Sequence, residues 1–333
     1  MSHLSDLFFS KLNSSCLYEG AACGRYAPSP TGPLHFGNLR TALIAWLQAR
    51  LANGRFILRI EDIDLPRTRP GSAEQIIDDL KWLGLDWDEG PDIGGEYAPY
   101  TQSERFELYQ AAIDYLSENN FLFPCFCSRK DIAQAASAPH VSDQLRIYPG
   151  TCRPANKQKR EQPPPPDRQA ALRFLCPEKH ITFADQILGK QDYALHRDSG
   201  DFVVKRSDGL FSYHIAVVVD DALMGVSDVV RGCDLIDSTA QQILLMDTFG
   251  FALPSYWHIP LVLDASGKRL SKRDGSLSID YYREKGIDSA HLVGQLAASL
   301  DLVPQGSRLS CQELVEECSL EQLRHCLQLH SQA

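Results

Sequence analysis

Two stretches far apart in the chain hold residues suited to handling a nucleotide. They are Pro28-Ser29-Pro30-Thr31-Gly32-Pro33-Leu34-His35-Phe36-Gly37-Asn38 and Arg269-Leu270-Ser271-Lys272-Arg273. In the first, Pro, Thr and Gly favour a tight turn, and Gly37 lets a ligand approach the backbone. Unpaired N–H groups at the start of the helix that follows favour an anion such as a phosphate. His35 and Asn38 add side-chain groups to the same cradle. The second stretch lies between Gly267 and Gly275 and gathers Lys268, Arg269, Lys272 and Arg273, a cationic loop suited to the outer phosphates of a nucleoside triphosphate. Either stretch alone fits a plain turn or a solvated loop. Their value lies in occurring together.

The surrounding pattern supplies elements to hold them. Gly24 to Ala27 reads as a short strand, and Leu39 to Ala52 as a helix with Leu39, Leu43, Trp46, Leu47 and Leu51 at helical spacing and Asn53-Gly54 as its stop. Phe56-Ile57-Leu58 is a buried-strand candidate with Glu61 just past its end. This βαβ-like opening predicts an α/β fold of the Rossmann type, a doubly wound parallel sheet with ligands at the carboxyl ends of its strands. Ser72 and Gln75 read as a capping box for a helix through Leu83, and Ser103 to Asn119 as an amphipathic helix. From about Phe121 to Arg197 cysteines, charges and the Pro163 to Pro166 run replace periodicity, which predicts an insertion splitting the fold. Phe202 to Val204, His214 to Val219 and His258 to Leu263 read as strands. Asp237 to Phe249 reads as a helix ending at Gly250, and Ser319 to Leu329 as another. The expected divisions are a loosely packed extension (1–23), a first half of the nucleotide-binding domain (24–120), the insertion (121–200), the second half with the cationic loop (201–282) and a short helical tail (283–333).

Composition narrows the class. The 333 residues are 44% hydrophobic and 23% charged, as in an ordinary globular protein, and no run approaches the ~18 apolar residues of a membrane span. Leu7-Phe8-Phe9 is too short for a signal-peptide core. Ten cysteines without such a signal favour reduced thiols or metal ligands, hence a cytoplasmic location. The net charge of −10 weighs against broad nucleic-acid binding. Between Arg153 and Arg173, however, six basic residues (Arg153, Lys157, Lys159, Arg160, Arg168, Arg173) face two acidic ones, either a solvated linker or an RNA contact.

In this order the two stretches resemble the HIGH and KMSKS signatures of class I aminoacyl-tRNA synthetases. The runs Gly24 to Gly32, Arg59-Ile60-Glu61-Asp62, Tyr213-His214, Val219-Asp220-Asp221 and Val230-Arg231-Gly232 are similar to the glutamyl-tRNA synthetase catalytic domain. The resemblance covers roughly Arg25 to Tyr282. It implies ATP and L-glutamate as substrates, with Mg²⁺ accompanying ATP. His35, Asn38 and Lys272 would be catalytic, and His35, Gly37, Asn38 and Lys272 would bind ATP. Arg25, Tyr26, Ala27, Pro28, Ser29, Glu61, Tyr213 and Arg231 would line the glutamate pocket. Charge argues the same way: Glu61 suits the ammonium of glutamate, and Arg25 and Arg231 suit carboxylates. The sequence departs from the family at Val217, where tRNA-charging relatives commonly carry Asn, and at Leu270 and Arg273 of the loop.

Cys125-x-Cys127 with Tyr148-x-x-x-Cys152 is a metal candidate, although C-x₂₋₄-C is the commoner spacing for structural zinc. Small glutamyl-queuosine tRNA(Asp) synthetases carry this set, so the resemblance implies one structural Zn²⁺ held by Cys125, Cys127, Tyr148 and Cys152. The other cysteines have no mutual spacing of interest. Only 61 residues follow Lys272, where full glutamyl-tRNA synthetases continue into an anticodon-binding domain. With Val217 and Tyr148, this favours a monomeric enzyme that makes glutamyl-adenylate without tRNA and esterifies glutamate onto the queuosine base of tRNA(Asp). A minimal synthetase charging a tRNA 3′ end, an adenylate-forming ligase with a non-RNA acceptor and a non-catalytic paralogue remain as alternatives.

Overall fold

The computed structural model describes residues 3–12, 21–128, 130–132, 147–159, 168–262 and 278–331. The first elements are α1 (His3–Lys11), β1 (Cys23–Tyr26), α2 (Phe36–Leu51), β2 (Arg55–Leu58), α3 (Ser72–Leu83) and α4 (Phe106–Glu118). Next come β3 (Leu122–Cys125), β4 (Ala171–Phe174), β5 (His180–Asp185), β6 (Gly189–Ala194), α5 (Leu195–Asp198) and β7 (Val203–Lys205). The remainder is α6 (Tyr213–Leu223), β8 (Asp228–Gly232), α7 (Ile236–Phe249), β9 (Ser255–Ile259), α8 (Ile279–Glu284), α9 (Ser289–Ala298), α10 (Cys311–Glu317) and α11 (Leu320–Ser331).

Six strands form one sheet in the order β2-β1-β8-β9-β5-β6, and β3, β4 and β7 form a second, antiparallel one. Within the large sheet the β2-β1-β8-β9-β5 pairings are parallel and only β6 runs the other way. Helices cover both faces. One apolar cluster joins α2, α3 and α9 to α11, and the other joins α1, α4, α6 and α7. Helix α2 is buried along most of its length, from Leu39 to Ala49, because it lies between the sheet and the C-terminal helices. The doubly wound α/β architecture is therefore as expected. Among the described residues, no helix is long and apolar enough to cross a membrane.

Several local readings are corrected. The N-terminal segment is not a loose extension throughout: α1 inserts Phe8, fully buried, with its ring 5.5 Å from that of Phe249. The β5–β6 hairpin falls inside the stretch expected to be an insertion, yet β5 pairs with β9 and extends the main sheet. Residues 214–219 belong to helix α6, not a strand. An unbroken apolar run carries no period; the helix that forms is capped by Ser212, whose Oγ accepts a hydrogen bond from the N–H of Ile215. No capping box opens α3. Its N-cap is Gly71 in a left-handed conformation (φ 75°), and Ser72 Oγ instead accepts from the N–H of Gly32 at 3.1 Å. That bond ties the helix to the Pro28–Pro33 turn.

Candidate active site

The carboxyl ends of β1 and β8, the start of α2 and the segment after β9 enclose a cavity of about 510 Å³. Parallel pairing continues past β1 and β2: Arg59 N–H donates to Tyr26 O at 3.0 Å and Glu61 N–H to Pro28 O at 2.9 Å. This sets Glu61 beside the turn. All of Arg25, Tyr26, Ala27, Pro28, Ser29, His35, Gly37, Asn38, Glu61, Tyr213 and Arg231 line the cavity. Residues from four separate parts of the sequence thus meet around one cavity.

The His35–Asn38 pair forms the N-terminal cap of α2. His35 Nδ1 accepts from Asn38 N–H, and Asn38 Oδ1 accepts from His35 N–H, each at 3.4 Å. A neutral His35 therefore carries its ring proton on Nε2. A Cβ at Gly37 would lie 3.3 Å from His35 Cε1, so a larger residue there would press on the ring. Tyr26 OH donates to Asn38 O at 3.3 Å, locking the turn to the strand.

A dry charge network lies beneath the cavity. Arg25 Nε lies 3.3 Å from Asp221 Oδ1, and Arg25 Nη1 donates to Val230 O at 3.1 Å. Arg59, with no exposed surface, donates through Nη2 to Asp221 Oδ1 at 2.8 Å and to Glu61 Oε1 at 3.1 Å. Asp220 accepts from Arg105 Nε (2.7 Å), Gln102 Nε2 (2.9 Å) and Tyr109 OH (2.8 Å). Burial pushes the Asp221 carboxyl up, but Arg25 and Arg59 outweigh it and hold it below the usual range. At Glu61 burial wins over Arg59 and Arg25, so its carboxyl is raised. Glu61 is therefore less completely compensated than Asp221, which suits a carboxylate awaiting a cationic partner.

Arg231 is held on every side. Its Nε donates to His258 Nε2 at 3.0 Å, Nη1 to Gln242 Oε1 at 2.8 Å and Tyr213 OH at 3.3 Å, and Nη2 to Thr239 Oγ1 at 2.7 Å. Arg59, Asp220 and Asp221 stood in runs that carried the resemblance but had no role there, and His258 and Asp185 were not singled out. Their signal was faint: charged or polar residues inside otherwise apolar runs. Val217 is buried in the α1/α4 cluster and is not among the residues lining the cavity.

Lys272, with Lys268, Arg269 and Arg273, lies outside the described residues. The flanks of that segment are placed: Val262 lines the cavity, and Ser278 pairs in a β-bridge with His35.

At the end of β3 in the small sheet, Cys125 meets Cys127 and Cys152, the three Sγ atoms lying within 4.8 Å of one another and those of Cys127 and Cys152 3.6 Å apart. Tetrahedral Zn²⁺ with thiolates at about 2.3 Å sets sulfurs roughly 3.8 Å apart, so the three can hold a metal ion. Tyr148 joins them: its hydroxyl accepts from Cys152 N–H at 2.6 Å and also hydrogen-bonds Cys125. The Arg173 guanidinium sits 4.0 Å above the Tyr148 ring. Much of the basic stretch is therefore used internally. Arg153 chelates Asp201 (2.9 Å), Arg173 is buried and donates to Asp201 O, and Arg168 donates to Phe126 O and Asp131. The positive charge these three arginines leave for an RNA contact is correspondingly smaller. The remaining described cysteines form no disulfide, Cys23, Cys176 and Cys311 being buried.

Residues 23–313 match the family model of the class I tRNA synthetase (E and Q) catalytic domain. The chain belongs to that family. It is accordingly an enzyme of the ligase class. Among its relatives, the glutamyl-Q tRNA(Asp) synthetase of Symbiobacterium thermophilum is 50% identical over 294 residues, covering 88% of this chain and 91% of that protein. That of Nitratidesulfovibrio vulgaris is 46% identical, covering 84% and 87%. The glutamate–tRNA ligase of Sulfurihydrogenibium sp. is 38% identical, but the match spans 62% of its length. The crystal structure of a glutamate tRNA ligase from Elizabethkingia meningosepticum, in complex with its amino acid, superposes with a TM-score of 0.75 at 31% identity. It covers 91% of this chain, which spans 66% of that one.

Proposed function

We propose that the protein activates L-glutamate with ATP, without tRNA, and transfers the glutamyl group to the queuosine base at the anticodon wobble position of tRNA(Asp). The observation that carries this reading is the single cavity uniting the capped start of α2 with Glu61, Arg25 and Arg231. The 50% and 46% identities to glutamyl-Q tRNA(Asp) synthetases support the choice of acceptor.

In the first step an α-carboxylate oxygen of glutamate attacks the α-phosphorus of ATP and pyrophosphate leaves. The N-terminus of α2 and His35 receive phosphate charge; Lys272 opposes the charge on the departing pyrophosphate, and Mg²⁺ accompanies ATP. Glu61 takes the ammonium, and Arg25 and Arg231 take carboxylates. In the second step a hydroxyl of the queuosine cyclopentenediol attacks the acyl carbon and AMP leaves. One Zn²⁺ held by Cys125, Cys127, Tyr148 and Cys152 would fix the small sheet, replacing a core that segment is too small to build. The enzyme is taken to act as a cytoplasmic monomer.

The test is glutamate-dependent pyrophosphate exchange without tRNA, followed by transfer of labelled glutamate. Exchange is expected with wild-type protein, and Lys272→Ala is expected to lower it by about 10²–10³-fold. Label should pass to tRNA(Asp) containing queuosine, and neither to the same tRNA with guanosine nor to tRNA(Glu). Exchange that requires tRNA, or equal labelling with and without queuosine, overturns the reading.

A further inference from the structure

Behind Arg231 runs a buried polar chain that the reaction scheme does not use. At its far end Asp185 closes the β5–β6 turn. Its Oδ1 accepts from the N–H groups of Ile187 and Leu188, both at 2.9 Å, and its carboxylate also accepts from His258 N–H at 3.2 Å. Asp185 Oδ2 lies 2.6 Å from His258 Nδ1, and neither side chain has exposed surface. His258 Nε2 lies 3.0 Å from Arg231 Nε and 3.1 Å from Thr239 Oγ1.

The partners fix the protons. A carboxylate already receiving backbone N–H groups acts as an acceptor, so Nδ1 of His258 carries a hydrogen. Arginine Nε can only donate, so Nε2 of His258 must present a lone pair. The imidazole is therefore neutral, with its proton on Nδ1. Thr239 Oγ1 accepts from Arg231 Nη2, which leaves its own hydrogen for His258 Nε2 or Leu235 O. The hydrogen bonds of Arg231 account for four of its N–H groups, and the remaining one on Nη2 belongs to a residue lining the cavity.

We infer that Asp185 and His258 are positioning residues that aim the Arg231 guanidinium, and that His258 must be neutral for Arg231 to hold the carboxylate of the amino acid. This rests on the assignment of Arg231 to the glutamate pocket. The groups facing His258 are Asp185 from β5, Arg231 from β8, Thr239 from α7 and the stacked ring of Tyr256, with Arg25 acting from β1. Burial and the two arginines depress its basicity against the opposing pull of Asp185. A proton on Nε2 would set donor against donor at 3.0 Å and place two cations together in a dry site. Binding of the amino acid should then weaken in acid while ATP binding is spared.

Two substitutions separate aiming from mere packing. In His258→Asn the amide nitrogen replaces Nδ1 and keeps the bond to Asp185, but nothing takes the place of Nε2 as acceptor for Arg231 Nε. In His258→Gln the amide oxygen reaches the place of Nε2 and restores that acceptor. In pyrophosphate exchange, His258→Asn should raise the KM for glutamate by about tenfold to hundredfold, the cost of stranding a buried charged donor. His258→Gln should stay within about threefold, and the KM for ATP should be unchanged in both. Wild-type kcat/KM for glutamate should fall in acid, and this limb should disappear in His258→Gln. Nitrogen NMR of the wild-type imidazole, which needs no activity, should give the Nδ1-protonated neutral form at pH 7. Equal effects of Asn and Gln, parallel loss of ATP binding or an Nε2-protonated ring would overturn the inference. Wild-type protein with no glutamate-dependent exchange would instead overturn the proposed function.

Discussion

Asp221→Asn tests whether the charge network under the cavity is as dry as its geometry implies. Among the described residues Asp221 is the only side chain to which Arg25 donates, and it shares Arg59 with Glu61. At an effective dielectric constant near 20, a pair of unit charges at the 3.3 Å of Arg25–Asp221 attracts by about 5 kcal/mol, and one at the 2.8 Å of Arg59–Asp221 by about 6 kcal/mol. Those gross terms are largely offset by the cost of desolvating the ions in the first place. Removing one partner leaves that cost in place, and such changes destabilise by about 3–5 kcal/mol. Against a typical total of about 5–15 kcal/mol the variant should still fold, with a clearly lower urea midpoint and an unchanged slope. Arg59 would then be left mainly to Glu61, blunting that carboxylate for a substrate ammonium, so the KM for glutamate should rise as well. Adding Arg25→Met to Asp221→Asn should recover part of the lost stability, because it removes the stranded cation. A loss below about 1 kcal/mol, or no recovery in the double variant, would mean that water already shares these charges.

Metal analysis of purified protein should find about one zinc per chain, and Cys127→Ser should lower occupancy and loosen the small sheet, read as faster amide exchange in β3 and β4. Acid should destabilise the fold before the carboxylates titrate. His214 is pushed down from 6.5 to about 4 by burial and by Arg231, and His258 is also lowered, so the unfolded chain binds protons there that the folded chain does not. Stability should therefore fall as pH drops from about 6.5, by up to about 1.4 kcal/mol per pH unit for each histidine, and His214→Gln should flatten that slope. Gly294→Ala in α9 should cost about 1–3 kcal/mol in denaturant unfolding, because its Cβ would lie 1.9 Å from the carbonyl oxygen of Ser307.

Sequence by itself determined the parts whose physics is local. The turn of Pro28 to Pro33 and the helical spacing of Leu39 to Leu51 are set by neighbours a few positions away, and they were legible with boundaries good to a few residues. Cys125, Cys127, Tyr148 and Cys152 could be picked out by type and spacing, and the fold brings them together. Only tertiary structure decided what each charge does. Arg153 and Arg173 look like surface cations in the sequence, yet Asp201, at least 28 residues away, draws both inward. Residues 214–219 read as a strand because an apolar run without a period cannot distinguish a strand from a helix buried on all sides, and packing between α4 and α7 settled it. Asp185, His258 and Arg231 stand on three different strands, and no spacing rule links them. Their relation is set by the order β8-β9-β5 in the sheet, a pairing of distant segments that the chain acquires only on folding.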